Sequence, residues 1–147
     1  MPTPHTDLLR RWFDEIWNQG NESAIDELLA PDGRVHGLGE AGVVAVGPAG
    51  FKPFWAQLCA TFPTRHFVVE DSVEAGDKVA VRWRARMVHG GDALGSAPTG
   101  QEVEVTGMSF VRVRDGQLLE GWNNWDALEM ATKINAIHTI KPLAPAP

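Results

Sequence analysis

Residues 103–126 read VEVTGMSFVRVRDGQLLEGWNNWD. Two runs that alternate apolar and polar residues flank Asp115-Gly116. Asp-Gly between such runs is a strong short-range hairpin signal. A two-residue turn pairs Arg114 with Gln117, and opposed residues share a face of the sheet. Walking back from the turn, Val113 then meets Leu118, Val111 meets Glu120, Ser109 meets Trp122, Gly107 meets Asn124 and Val105 meets Asp126. The other face pairs Arg112 with Leu119, Phe110 with Gly121, Met108 with Asn123 and Thr106 with Trp125. In this register two carboxylates and an amide lie on the more apolar side of the hairpin. Acids on a core-facing side are costly unless they are paired or functional. The pairing depends on regular alternation, because one bulge exchanges the faces.

Composition narrows the setting. The chain has 147 residues, which suits one domain spanning residues 1–147. Hydrophobic residues make up 44% and charged residues 22%, as in a soluble globular protein. The net charge of −6 argues against nucleic acid or an anionic membrane as partner. A single cysteine, Cys59, allows no internal disulfide and no cysteine-rich zinc site. The N-terminus lacks the apolar core of a signal peptide, and no run approaches a membrane span, so a cytoplasmic location is expected. Six tryptophans accompany no tyrosine.

Before the hairpin the pattern is first helical and then alternating. Residues 6–19 carry Leu9, Trp12, Phe13, Ile16 and Trp17 at helical spacing, with Thr6 as a cap and Gly20 at the end. A short helix is expected over 23–29, and a short strand over 33–38 carrying His36. The glycine-rich stretch 40–47 has no clear assignment. A third helix begins near Pro48 and stops at Pro63, with Phe51, Phe54, Trp55, Leu58, Cys59 and Phe62 along one stripe. Strands are expected over 66–73 and 78–89. A three-residue loop between them sets Val73 opposite Val79, Asp71 opposite Val81, Val69 opposite Trp83 and Phe67 opposite Ala85. That pairing puts Asp71 on the inner face and Arg82, Arg84 and Arg86 on the outer one. Residues 90–100 read as a connection, 127–137 as a last helix, and 141–147 as a disordered tail. This order predicts an α+β fold, in which helices pack in the concave face of a curved antiparallel sheet and close a cone around a pocket.

The run from His89 to Asp126 resembles the SnoaL-like polyketide cyclase family, part of the nuclear-transport-factor-2-like superfamily. The shared features are H-x-G (His89, Gly91), G-x-x-P-T-G (Gly95, Pro98, Thr99, Gly100) and R-x-x-D-G-x-x-x-E-x-W-x-x-x-D (Arg112, Asp115, Gly116, Glu120, Trp122, Asp126). The opening FDEIWNQGNESAIDELLAPDGRVHG is similar to the family's two helices leading to a strand. The resemblance implies the cone fold. It also implies acid–base catalysis without a cofactor: an aspartate near the end of the sheet removes a proton from a polyketide ester, and the carbanion closes a ring by aldol addition. That role falls on Asp126, with Glu120 as the rival. His36 occupies the place of a pocket histidine in relatives.

Each candidate carries a plainer alternative. Proton abstraction beside a carbonyl needs a base of raised pKa and a donor for the enolate. An apolar pocket raises a carboxylate's pKa. Glu120 and Asp126, six residues apart on a strand, are separated by roughly 20 Å and cannot form one dyad. Asp126 serves equally as the N-cap of the last helix, and Glu120 as the partner of Arg34 or Arg65. His36 and His89 either orient substrate or are structural. Trp122, Trp83, Trp55 and Trp17 either line a flat aromatic-ligand pocket or pack the core. Asn124, facing Gly107, is a pocket amide or a structural one. A ketosteroid-isomerase-like site lacks its tyrosines, and an epoxide-hydrolase-like cluster is disfavoured because the arginines face outward. The histidines lack metal-ligand spacing, and Cys59 reads as a packed thiol. The partners expected are a small hydrophobic molecule and a second copy of the chain. The second copy would meet the outer face of Arg82, Arg84 and Arg86, crossed by Phe110, Met108 and Trp125. Two other classes fit the same fold: a non-catalytic binder of an apolar ligand, and a protein whose dimer surface matters more than a tryptophan-filled cone.

Overall fold

A computed structural model describes residues 4–39 and 42–135. Helix α1 (Pro4–Arg11) runs directly into a π-helical segment (Trp12–Asn18). Its buried face is Leu9, Trp12, Phe13, Ile16 and Trp17, the stripe read from the periodicity, joined by Leu8. The helix starts before Thr6, so that residue lies within it rather than capping it. A π-helical stretch is rare and is often found near a functional site. Here it turns three bulky rings, Trp12, Phe13 and Trp17, toward the same interior space. Helix α2 (Glu22–Leu28) follows, then strands β1 (Leu29–His36) and β2 (Val44–Val46). Helix α3 (Gly47–Thr61) has a proline in its first turn, and Pro53 lies inside it.

Strands β3 (Thr64–Ala75), β4 (Lys78–Val88), β5 (Glu102–Arg114) and β6 (Gln117–Trp125) complete one six-stranded sheet in the order β2-β1-β6-β5-β4-β3. The α+β cone expected from the sequence is what forms. The sheet is mixed rather than wholly antiparallel, because β1 lies parallel to β6. The α1–α2 unit enters the sheet at β1, which β2 flanks on one side at once and β6, the last strand, flanks on the other. Helix α4 (Ala127–Lys133) ends the described chain; the expected continuation to 137 and the tail 141–147 lie outside the described residues. No described helix is long and apolar enough to cross a membrane.

Two bulges correct the sequence-based registers. Between β3 and β4 the turn has two residues, with Ala75 paired to Lys78. The pairs Val69–Trp83 and Phe67–Ala85 hold, but the ladder shifts at Glu70. Asp71 therefore faces Arg82 and is exposed, not on the inner face. The arginines at 82, 84 and 86 do lie on the outer face, paired to Glu70 and Glu104.

Between β5 and β6 the turn is Asp115-Gly116, and Val113 meets Leu118 as expected. The register then shifts at Leu119. Arg112 meets Glu120, Phe110 meets Trp122, Ser109 meets Asn123, Met108 meets Asn124 and Gly107 meets Trp125. The bulge exchanges the two faces over the rest of β6. Glu120, Trp122 and Asn124 turn outward; Gly121, Asn123 and Trp125 turn inward. Asp126 lies just past the end of β6, with its backbone N–H still donating to the Thr106 carbonyl at 3.0 Å.

Candidate active site

A cavity lies between the helical layer and the inner face of the sheet. Its space, open solvent at the mouth included, is about 700 Å³. Helix-side rings such as Trp12, Phe13 and Trp17 form one wall. The opposite wall is built from cross-strand rows of the sheet: Val111–Gly121–Val35, then Ser109–Asn123, then Trp83–Gly107–Trp125. Gly107 is required in the last row, because a Cβ there would collide with the Trp83 indole.

The lining among the described residues contains no carboxylate, no amine or guanidinium, no imidazole and no thiol. Its polar side-chain groups are the Ser109 hydroxyl, the Asn123 amide and indole N–H groups. They form a directed chain. The Trp83 indole N–H can only donate, and it donates to Ser109 Oγ at 3.1 Å. The hydroxyl proton is therefore free to go to Asn123 Oδ1, at 2.6 Å. Asn123 Nδ2 donates in turn to the backbone carbonyl of His36 at 2.9 Å. The donor-only start and the acceptor-only end fix the orientation of the amide. The Trp125 indole N–H donates to the Gly37 carbonyl at 3.1 Å, so two β6 side chains hold the backbone that follows β1. Gly37, at φ +78°, brings its backbone against the Asn123 carbonyl too closely for any Cβ.

The residues singled out in the sequence fall into four places. Trp17 and Trp83 line the cavity; Trp17 also stacks on Phe67 at 5.4 Å. Trp55 is half-buried and donates its indole N–H to the Ile16 carbonyl at 2.9 Å, which ties α3 to the π-helical segment. His89 is wholly buried at the start of the 90–100 connection. The Thr99 backbone N–H donates to its Nδ1 at 3.2 Å, so the ring proton sits on Nε2, which has no partner among the described residues. His89 packs beside Phe62, away from the cavity.

The remaining five lie outside the cone. His36, Glu120 and Trp122 come together on the outer face. His36 Nε2 is 2.8 Å from Glu120 Oε2, and its ring stacks flat on Trp122 at 5.3 Å and 2°. Phe110 meets Trp122 in an edge contact, with ring centroids 6.0 Å apart. Glu120 is also 3.9 Å from Arg112, while Arg65 is occupied with the Trp17 and Phe62 carbonyls. Asn124 is exposed on the same face. Asp126 accepts the Glu129 backbone N–H at 3.0 Å and is the N-cap of α4. The physical cause is the bulge at Leu119, which the strict alternation did not include.

Sequence reasoning missed Ser109, Asn123 and Trp125 as cavity residues. The signal was present in Leu118-Leu119. Two adjacent leucines break the alternation where the extra residue sits, and a polar Ser109 between Val111 and Val105 marked the inner face. Cys59 is half-buried; burial pushes its thiol up, against the opposing charge of Arg65. No group of three His, Cys, Asp or Glu side chains among the described residues is arranged to hold a metal ion.

The sequence matches the SnoaL-like polyketide cyclase family over residues 7–134. Among solved structures, it is similar to a candidate SnoaL-like polyketide cyclase from Jannaschia sp. CCS1. The two are 30% identical, 92% of this chain aligns with 94% of that one, and the TM-score is 0.81. IdmH, a candidate polyketide cyclase from Streptomyces antibioticus, is 32% identical over 89% of this chain and 98% of its own, with a TM-score of 0.77. AclR, a candidate hydroxylase from Streptomyces galilaeus, shares the fold at 21% identity and a TM-score of 0.78 over 92% of this chain and 98% of its own. No curated protein matches the chain.

Proposed function

Because the chain belongs to the SnoaL-like polyketide cyclase family, we propose that its cone binds an uncharged, largely apolar, polyketide-like molecule. The observation that carries this reading is the cavity lining: aromatic and aliphatic walls, one hydroxyl, one side-chain amide, and no ionisable group among the described residues. A charged ligand would lose its hydration there without gaining a counter-charge. An apolar one would gain from every ring it covers. What such a site offers chemically is exclusion of water and a fixed ligand conformation. Proton transfer would have to come from elsewhere.

A neutral fluorescent probe, N-phenyl-1-naphthylamine, tests the reading. The protein should bind it saturably with a rise in probe emission, and Gly121→Leu, which plants a side chain in the cavity, should weaken that binding at least tenfold. A linear, unsaturable response of the unmodified protein would refute ligand binding in the cone.

A second reading is favoured by one contact. Cofactor-free acid–base catalysis, such as aldol closure of a polyketide ring, would use Glu120 and His36, held 2.8 Å apart. The pair is separated from the cavity by the sheet, so this chemistry would act on a substrate at the outer face. If a substrate is turned over, Glu120→Gln should lower kcat by about 10²-fold or more; undiminished turnover would leave the pair a structural role.

For a protein partner we propose a second copy of this chain on the outer sheet face. Met108 and Phe110 are 62% and 44% exposed there, beside the Trp122–His36 stack. Four arginines (82, 84, 86, 112) stand with three glutamates (70, 104, 120) in mutual ion pairs. The face is near neutral in a chain of net charge −6, so two copies can approach here without the repulsion expected elsewhere.

A further inference from the structure

The hydrogen-bond chain in the cone specifies more than an apolar ligand. Resting on the cone being the ligand site, we infer that Asn123 selects a ligand with one neutral hydroxyl at the depth of β5 and β6.

The argument is a count of donors and acceptors. Ser109 has one proton, and it goes to Asn123 Oδ1. One of its two lone pairs accepts the Trp83 N–H. Asn123 has two N–H bonds and two lone pairs on Oδ1. One N–H is used by the His36 carbonyl and one lone pair by Ser109. One N–H and one lone pair remain on the same amide. Of the indoles that line the cavity, those of Trp83 and Trp125 are already donating to Ser109 and the Gly37 carbonyl, while Trp12 and Trp17 belong to the opposite, helical wall.

A side-chain amide with one free donor and one free acceptor complements a group that both accepts and donates. A hydroxyl does this with a single oxygen. A keto or ether oxygen meets only the N–H and leaves the lone pair dry. A carboxylate meets the N–H but faces the Oδ1 lone pair, with no cation in the lining to offset it. Discrimination by a buried hydrogen-bonding pair is stronger than discrimination by shape, because the wrong ligand strands the site's own polar atoms. The amide cannot rotate to suit another ligand. Doing so would set Nδ2 against the Ser109 proton and Oδ1 against the His36 carbonyl.

Four probes of one shape test this at neutral pH: naphthalene, 1-methoxynaphthalene, 1-naphthol and 1-naphthoate, followed by quenching of tryptophan emission. The unmodified protein should bind 1-naphthol about 3- to 10-fold more tightly than naphthalene, the net effect of one or two neutral hydrogen bonds. 1-Methoxynaphthalene should fall between them, and 1-naphthoate should bind at least tenfold more weakly than 1-naphthol. Asn123→Leu and the smaller Asn123→Ala should keep naphthalene binding and lose the preference for the hydroxyl. Equal binding of naphthalene and 1-naphthol by the unmodified protein overturns the inference while leaving the apolar-ligand reading intact, and needs no variant. A hydroxyl preference that survives both substitutions also overturns it. If none of the four probes binds, the apolar-ligand reading itself fails.

Discussion

Asp126 shows how one side chain settles between two roles. Its carboxylate accepts the Glu129 N–H at the start of α4 and is taken up in capping that helix. Asp126→Ala should lower the unfolding free energy by about 1 kcal/mol, the usual worth of an N-cap. Urea denaturation measures that loss, and probe binding in the cone should be unchanged. Cys59 is the other residue whose environment makes a measurable demand. Burial holds its thiol pKa above the ordinary value, with the Arg65 charge opposing. A smaller thiolate fraction at a given pH means slower attack. Alkylation by iodoacetamide near pH 8 should therefore be slower in the folded protein than in urea. Equal rates in the two states would show that the thiol is not shielded. Neither residue's role could be read from residue type alone: each depends on what the backbone places beside it.

At the scale of elements, the β5–β6 hairpin was the most legible part of the chain and also the source of its largest correction. Asp115-Gly116 located the turn, and the alternating valines of β5 located the core side. A single extra residue in β6 then reversed the assignment of every side chain beyond it. Leu119 is that residue, because the ladder is regular on both sides of it. Deleting Leu119 should leave Leu118 inward and Glu120 outward in unbroken alternation, so the variant should fold and keep its probe binding. Deleting Gly121 should instead drive Asn123 to the outer face and abolish binding. Circular dichroism and probe titration together distinguish these outcomes; loss of binding on Leu119 deletion would contradict the bulge assignment. The β3–β4 hairpin repeats the lesson at Glu70, where the inner pairs near Phe67 held and Asp71 did not. The helices were more predictable, since the stripe read for α1 and the π-helical segment is buried and that of α3 is buried at Phe51 and Leu58 and half-buried at Phe54, Trp55 and Cys59; an added residue shifts a helical stripe less than it flips a strand.

At the scale of the whole molecule, the cone has two working surfaces divided by one sheet. The inner surface has no ionisable lining among the described residues; the outer one carries paired charges, an aromatic row and a His–Glu contact. Rows run across the sheet from Ala80 through Phe110 and Trp122 to His36 on the outside. On the inside, Val81, Ser109 and Asn123 make another row. If a second copy docks on the outer face, Met108→Glu with Phe110→Glu should convert the assembly to a monomer in sedimentation velocity, while cavity binding of the neutral probe persists. An unchanged sedimentation coefficient would place any association elsewhere. The His36 backbone carbonyl accepts from Asn123 while its ring lies on Trp122, so the two surfaces share a residue without sharing a cavity.

The sequence by itself determined the fold class, the helices, the turn at Asp115-Gly116 and the motifs by which the family is identified. Those signals are local: a period of 3.6 or 2, a capping residue, a turn dipeptide. It also held the residues of the cavity. Which of them face inward was decided only by the tertiary structure. Strand alternation carries no memory across a bulge, and the site is defined by the face. Pairing β1 in parallel beside β6, a contact between residues more than eighty positions apart, then set His36 against Glu120 and gave Asn123 its carbonyl partner. No local pattern encodes such a pairing, because it becomes favourable only once the intervening strands have formed the sheet that receives it.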